Sequence, residues 1–297
     1  MVFDVLVINA NPLLNLVHAG AYTPGAVNRV PALGMAAEGK GVNVARVLAR
    51  HGHRVVLAGF AGGYSGAWLR ELIRAEGIED ACIETAAPLR VGFMVTDPKD
   101  NHPTTIFPGG FPVVPGECRR LLERVDSLLG SVRLVIASGS VPDPAANGLY
   151  TDLLALCARH SAPCWLDAYG PAMSLALEGP VAPALSKPNR EELALGAHWD
   201  RAEELHVTDG GGCVEIDHPR EGRWRMFPPA IRQVNPVGSG DCYLAGLAHG
   251  WLLDWAWEDR LRYAAGAGAA NASRHEVAMI GPDDVAPLRD RARLERR

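Results

Sequence analysis

The segment NPVGSGDCYLAG, residues Asn235–Gly246, sets Gly238, Ser239, Gly240 and Asp241 between a proline and an apolar run. Beyond Asp241, the residues Leu244, Leu247, Ala248, Trp251, Leu252 and Trp255 recur at i, i+3, i+4, i+7, i+8 and i+11, the pattern of a helix with one buried face. The glycines therefore approach a helix start. Unpaired N–H groups and the positive end of the macrodipole meet there, and glycine lets an anion come close, so this is a place to hold developing negative charge. A plainer reading has Asp241 only capping the helix and the glycines only turning the chain. In either case an Asp at a helix start is expected to stay ionised at neutral pH. A second pair, Asn189 and Glu192, stands three apart where a strand enters a helix, so their side chains share a face. By spacing alone this pair also reads as a capping box following Pro188.

The rest of the composition limits what such residues can serve. The chain has 297 residues, is 48% hydrophobic and 21% charged, and carries a formal net charge of -5. That suits a globular protein with one large core or two modest ones. No dense Lys/Arg run is present, which argues against a nucleic-acid surface and for a small-molecule ligand. The opening MVFDVLVINANP lacks a basic region and holds Asp4 within its apolar run, so it reads as a first strand and not as a signal peptide. No apolar stretch has the length of a membrane span. The six cysteines, Cys82, Cys118, Cys157, Cys164, Cys213 and Cys242, show no CxxC or metal-ligand spacing. Reduced, buried thiols and a cytoplasmic location are expected.

Short apolar runs alternate with helical periodicity. The expected elements are strand Val5 to Ile8, a helix from about Val42 to Gly52, strand Val55 to Gly59, and a helix from Ala67 closing at Gly77. After these come a helix through Leu121 and Leu129, strand Leu134 to Ala137, helix Leu149 to His160 and strand Cys164 to Asp167. Such alternation predicts an α/β fold with a mostly parallel sheet between helical layers. Two stretches, about 10–32 and 89–108, break the rhythm, and Val91, Phe93 and Val95 alternate as in a half-exposed strand. They are read as insertions building a small β-sheet lid on a single domain, 1–297.

Five segments in order resemble the PfkB/ribokinase family of sugar kinases. EGKGVNVARVLARHG (Glu38–Gly52) looks like its first signature, SGSVPDP (Ser138–Pro144) like its mid-chain loop, and SKPNREEL (Ser186–Leu193) like its Lys-Pro-Asn segment. The GSGD segment looks like the second signature, and AAGAGAANA (Ala264–Ala272) is similar to its nucleotide-base wall. The segments NPLLN, AVNRV and GKGVNVARVL place the resemblance nearest the branch of 1-phosphofructokinases and tagatose-6-phosphate kinases. A ribokinase-like three-layer α/β/α sandwich is implied.

The resemblance also implies roles. Asp241 would be the base that deprotonates an acceptor hydroxyl, with backbone N–H groups of Gly238, Ser239 and Gly240 as an anion hole. Asn189 and Glu192 would order Mg2+, through water, on ATP, with Lys187 preceding them. Thr208 and Gly210 would meet the nucleotide and Asn271 its base, although DGGG alone reads as a hairpin turn. Asn11, Asn15, Gly39, Asn43 and Ser138 would hold the sugar, and Lys40, Arg29 and Arg90 would converge on a phosphate it already carries. The implied activity is ATP-dependent phosphorylation of a phosphorylated ketohexose, with a closing lid that excludes water and offers an exposed face for a homodimer. The alternatives are a kinase of an unphosphorylated sugar or nucleoside, and a ligand-binding relative that does not turn over.

Three departures bear on that activity. The branch has Asp where Asn15 stands, and glycine where Glu38 stands. Either the acceptor-binding carboxylate has moved from residue 15 to residue 38, or Glu38 fills the sugar space and changes or disables the site. Only twelve residues, Ala194 to Leu205, follow KPNREEL before HVTDG, where a longer helical segment is usual, so a more exposed nucleotide is expected. The stretch RHEVAMIGP, Arg274–Pro282, replaces a glycine-containing one.

Overall fold

The computed structural model describes residues 2–97, 99, 102–196 and 198–297. The chain runs β1 (Val5–Asn9), β2 (Leu13–Ala19), β3 (Gly34–Glu38), α1 (Lys40–Arg50), β4 (Val55–Gly59), α2 (Gly63–Ala75), β5 (Glu79–Asp80), β6 (Val91–Thr96), β7 (Thr104–Ile106) and α3 (Pro115–Leu129). It continues through β8 (Leu134–Ser138), α4 (Leu149–Arg159), β9 (Cys164–Asp167), α5 (Pro171–Glu178), β10 (Leu185–Ser186), α6 (Arg190–Leu195), β11 (Leu205–Val207), β12 (Val214–His218) and β13 (Gly222–Phe227). The last elements are α7 (Ser239–Leu252), α8 (Trp257–Ala272), α9 (Pro282–Arg289) and β14 (Arg293–Arg296).

β1 is apolar up to Asn9 without alternation and is buried along its whole length, as a strand covered on both faces must be. It pairs in parallel with β4 on one side, Val5 against Val55, and with β8 on the other, Val5 against Leu134. The described residues form a ten-stranded sheet in the order β14-β13-β12-β11-β10-β9-β8-β1-β4-β5. Pairing is parallel from β5 to β11 and antiparallel over the last three ladders. The chain first builds outward from β1 through β4, then returns to build the other way through β8. Where strand order reverses in this manner, a crevice opens beyond the carboxyl ends of the strands. The helices fall into two packed groups, α1 with α7, α8 and α9, and α3 with α4 and α5, giving a three-layer α/β/α sandwich.

A second sheet has the order β3-β2-β6-β7, with β2 and β6 parallel at its centre and antiparallel strands at both edges. It takes β2 from the stretch 10–32 and β6 and β7 from 89–108, of which residues 98, 100 and 101 lie outside the described residues. β3 falls beyond the expected boundary. Residues 20–33 hold no strand, because Pro24, Gly25 and Pro31 cannot sustain a ladder, and GMAAE lacks the alternation that marks a strand.

Two helices differ from their expected form. α1 starts at Lys40, since Gly39 at φ 131 makes the turn and Asn9 Oδ1 accepts the Val42 N–H at 3.0 Å in place of a local cap. α7 is buried nearly all round, not on one face, because α1 packs on one side and α8 on the other. Asp254 at φ 56 turns the chain after Leu252, so Trp255 belongs to the connection to α8. All six cysteines are free: Cys82, Cys157, Cys164 and Cys242 are buried, Cys118 and Cys213 half-buried. Among the described residues no helix is long and apolar enough to cross a membrane.

Candidate active site

The ends of β1, β8 and β10, and the residue Tyr169 just after β9, open onto one cavity of about 620 Å³. Leu13, Glu38, Arg90 and Phe107 bound it towards the small sheet. At the other extreme Val214, Met226 and Pro228 face Ala265, Gly268, Ala269 and Ala272 of α8 across an apolar slot. Between the two lie Lys40, Asn43, Lys187 and the start of α7.

That helix start is shaped by one turn. The Ser239 N–H donates to the Pro236 carbonyl at 3.1 Å, and Gly238 occupies the third position with φ 80 and ψ -2, the corner of a type II turn that requires glycine. Ser239 therefore does not offer its amide to an anion, and the expected hole of three donors narrows to Gly238 and Gly240. Behind the turn, Asn271 donates to Val237 O at 2.8 Å and Ser239 Oγ at 3.0 Å, and accepts from the Ala278 N–H at 2.7 Å. Asn271 is buried and does not line the cavity. It fastens the GSGD turn from behind the cavity wall.

Asp241 faces the cavity, and its Oδ2 accepts from Asn43 Nδ2 at 2.8 Å. Burial pushes its carboxyl up to about 6, with Asp167 adding to the rise, while Lys40, the Asn43 hydrogen bond and Lys187 pull it down. The helix start alone gives no sign of this rise, which comes from desolvation. Even so, a group titrating near 6 is roughly nine-tenths ionised at pH 7.

Lys40 Nζ donates to Glu192 Oε1 at 2.9 Å and lies 3.6 Å from Asp167 Oδ1 and 5.2 Å from the Tyr169 ring centroid. Burial would lower its pKa, but Asp167, Glu192 and Asp241 together raise it, so it is a permanent cation. Lys187 Nζ lies 3.5 Å from the same Asp167 oxygen. Burial works to raise Asp167, yet Lys187 and Lys40 hold it below its ordinary value. Asp167 is 1% exposed, and its Oδ1 has no hydrogen bond. The sequence reading treated this residue only as the end of a strand. A carboxylate closing an apolar parallel strand, where ligands of such sheets bind, was the available signal.

Asn189 and Glu192 form a true capping box. The Glu192 N–H donates to Asn189 Oδ1 at 2.8 Å, and the Asn189 N–H donates to Glu192 Oε2 at 3.0 Å. Glu192 Oε1 remains turned towards Lys40, so the capping and charge-bearing readings hold together. Thr208, Gly210 and Gly211 line the cavity from the turn between β11 and β12, which is also the hairpin that DGGG suggests.

Other residues singled out in the sequence stand off the cavity or are held by protein partners. Arg29 is exposed and does not line the cavity. Arg90 does line it, but its guanidinium donates to the carbonyls of Pro12 (3.2 Å), Pro108 (2.5 Å), Gly109 (3.3 Å) and Asn11 (2.7 Å), bracing two loops. With Lys40 committed to carboxylates, the three cations do not converge. Ser138 is buried and donates to Asp167 Oδ2 at 3.3 Å, and its neighbours Gly139 and Ser140 reach the cavity instead. Asn15 is buried behind Glu38 and does not line it either. Asn11, Glu38, Gly39, Lys40 and Asn43 do.

The model of the pfkB family carbohydrate kinases matches residues 12–282. The chain belongs to this family. The kinase is 30% identical to the 1-phosphofructokinase of Escherichia coli K12, with 98% of each chain covered. It is 26% identical to a tagatose-6-phosphate kinase of Staphylococcus epidermidis, over 94% of its own length and 95% of that protein's. Its fold superimposes on the crystal structure of a possible 1-phosphofructokinase from Thermotoga maritima with a TM-score of 0.89, at 22% identity and 99% coverage of both chains. The kinase therefore has the ribokinase-like fold and uses ATP as its cosubstrate.

Proposed function

We propose that this kinase transfers the γ-phosphoryl group of magnesium-ATP to a hydroxyl of a phosphorylated ketohexose, with Asp241 as the base. The observation that carries the reading is the position of Asp241. It is buried at the start of α7, hydrogen-bonded by Asn43, influenced by Lys40 and Lys187, and midway between an apolar slot and a polar end of one cavity. The similarity to 1-phosphofructokinases and a tagatose-6-phosphate kinase supports a phosphorylated ketohexose as acceptor.

In this reading the base lies flat between Val214, Met226 and Pro228 and the small residues of α8. A base suits such a slot because its faces are apolar and α8 offers little more than Cβ atoms. The phosphates then point towards the α7 start and Lys187. As the acceptor oxygen attacks the γ-phosphorus in line, its proton passes to the Asp241 carboxylate, and the bond to the ADP oxygen breaks. Charge on the transferring group is met by the N–H groups of Gly238 and Gly240 and by the buried lysines.

The donor set fits magnesium. Glu192, Asn189 and Asp167 Oδ1, which has ion pairs but no hydrogen bond, are hard oxygen donors, and among the described residues no cluster of three His, Cys, Asp or Glu groups forms a protein-only metal site. Magnesium commonly takes few protein carboxylates and keeps waters and substrate phosphates. When bound, it supplies charge neutralisation on the nucleotide phosphates. The small sheet closes over the acceptor and excludes water, and its exposed Leu33, Met35, Val91 and Ile106 suit a contact with a second copy.

One observation favours a second reading, a kinase of an unphosphorylated sugar or nucleoside. Arg90 is occupied by four carbonyls and Arg29 stands outside the cavity. The deciding experiment follows ATP consumption on fructose 1-phosphate, fructose 6-phosphate, tagatose 6-phosphate, fructose, ribose and adenosine, with Asp241→Asn as control. A rate confined to phosphosugars and lost in the variant supports the main reading. Turnover only on unphosphorylated acceptors supports the second, and Asp241-independent or absent turnover rejects both.

A further inference from the structure

The acceptor end of the cavity presents two hydrogen-bond acceptors, the Glu38 carboxylate and Asn11 Oδ1, that no cation of the described protein pairs with. Leu13 pairs with Glu38 and Asn15 with Ala36 across the β2–β3 ladder, so these four side chains share one face of the small sheet. Leu13 and Glu38 line the cavity, with Glu38 only 5% exposed, and Asn15 lies fully buried beside it. Among the described residues Glu38 makes no ion pair. The neighbouring cations are committed elsewhere: Lys40 to Glu192 and Asp167, Lys187 to Asp167, and Arg90 to four carbonyls. Arg46 acts on Glu38 only at a distance, since its guanidinium is held by Glu76 at 2.6 and 2.8 Å and by the Ala37 carbonyl at 2.6 Å.

Three further side-chain atoms lack a hydrogen bond in the same region. Neither side-chain atom of the buried Asn15 has a hydrogen bond, and Asn11 Oδ1 has none, although Asn11 Nδ2 serves Gly109 O and Ser140 Oγ. Buried polar groups are normally paired, so Asn11 Oδ1, on a residue that lines the cavity, is open to a ligand, whereas Asn15 lies off the cavity and its amide acts on the Glu38 carboxylate. Glu38 and Asn11 Oδ1 offer acceptors, which a phosphate dianion cannot answer and a polyol can. A carboxylate holds its two oxygens side by side, as a vicinal diol holds its two hydroxyl hydrogens.

The geometry points to Glu38 as the specificity-determining residue of the acceptor site, taking two hydroxyl hydrogens of a vicinal diol of the sugar. This rests on the kinase reading for the identity of the site, and the test separates the two. Turnover and calorimetric binding are measured for fructose 1-phosphate, fructose and their 3-deoxy and 4-deoxy analogues, with wild type, Glu38→Gln, Glu38→Ala and Asp241→Asn. Wild type is expected to bind a parent sugar about 10- to 100-fold more tightly than a deoxy analogue lacking one contacted hydroxyl. Glu38→Ala should bind the two within about twofold of one another, and Glu38→Gln, which keeps the shape and one acceptor, should fall between. Unchanged discrimination in both variants, tighter parent binding once the carboxylate is gone, or no sugar binding by wild type overturns the proposal. The binding pattern without Asp241-dependent turnover leaves Glu38 in its role and rejects the kinase reading instead.

Discussion

Asp241 ties activity and stability to the same proton, in opposite directions. Its folded pKa of about 6 stands above the ordinary Asp value near 3.9, so the folded chain binds the proton more tightly than the unfolded chain. Its contribution to stability is thus greatest at low pH and falls as pH rises from about 4 to about 6, by on the order of 3 kcal/mol. As a base it works only when ionised. The rate should fall about tenfold per pH unit below about 6 and level off above it. Asp241→Asn, a neutral group of the same shape, should lower kcat by about 10²- to 10⁴-fold and gain up to about 3 kcal/mol at pH 7. Steady-state kinetics and denaturant titration of the same two proteins check this, and a variant both slower and less stable would refute the desolvation account. Glu192 offers a second separation at this scale. Glu192→Gln keeps a side chain able to accept the Asn189 N–H but gives up the ion pair with Lys40, so melting should fall modestly, whereas the magnesium concentration for half-maximal rate should rise several-fold.

At the scale of elements, the turn before α7 and the stretch after α8 form one unit. Ala278 sits at φ 57, where a side chain is strained, and its N–H is the one that Asn271 Oδ1 holds. The altered stretch RHEVAMIGP thus keeps the backbone course that glycine would allow freely. Ala278→Gly should stabilise the protein by about 0.5–1 kcal/mol, measured by denaturant titration, with kcat little changed. Strands such as Val55–Gly59 and Cys164–Asp167 were legible to the residue, because buried parallel strands are short apolar runs with clear stops. β3 was not legible, since GMAAE draws its strand character from β2 and not from its own residues. Gly238, Asp241 and Asn11, marked by backbone requirement or by the strand-end rule, do line the cavity. Asp167 was missed, and Asn271, Ser138 and Arg90 were given ligands, because tertiary partners decide whether a buried polar group faces a cavity or a carbonyl.

For the whole molecule, the small sheet exposes apolar side chains, Ile106 at 66% and Met35 at 43%. Sedimentation analysis is expected to find a dimer in the wild type, and Ile106→Glu with Met35→Glu should shift it towards monomer and raise the KM for the acceptor more than that for ATP. A wild-type monomer at micromolar concentration would remove the dimer and leave the site intact. The free thiols bear on how such movements can be followed. Burial pushes the thiols of Cys82 and Cys242 up, the Cys157 hydrogen bond and then burial raise that of Cys164, and Cys118 and Cys213 are also raised, so few thiolates exist near neutral pH. The native chain should therefore react sluggishly with maleimides. A cysteine introduced at Val27, which is 81% exposed on the loop between β2 and β3, would then be the preferred point of attachment for a fluorophore. The enzyme could carry one reporter of sheet closure with its own sulfur chemistry left in place.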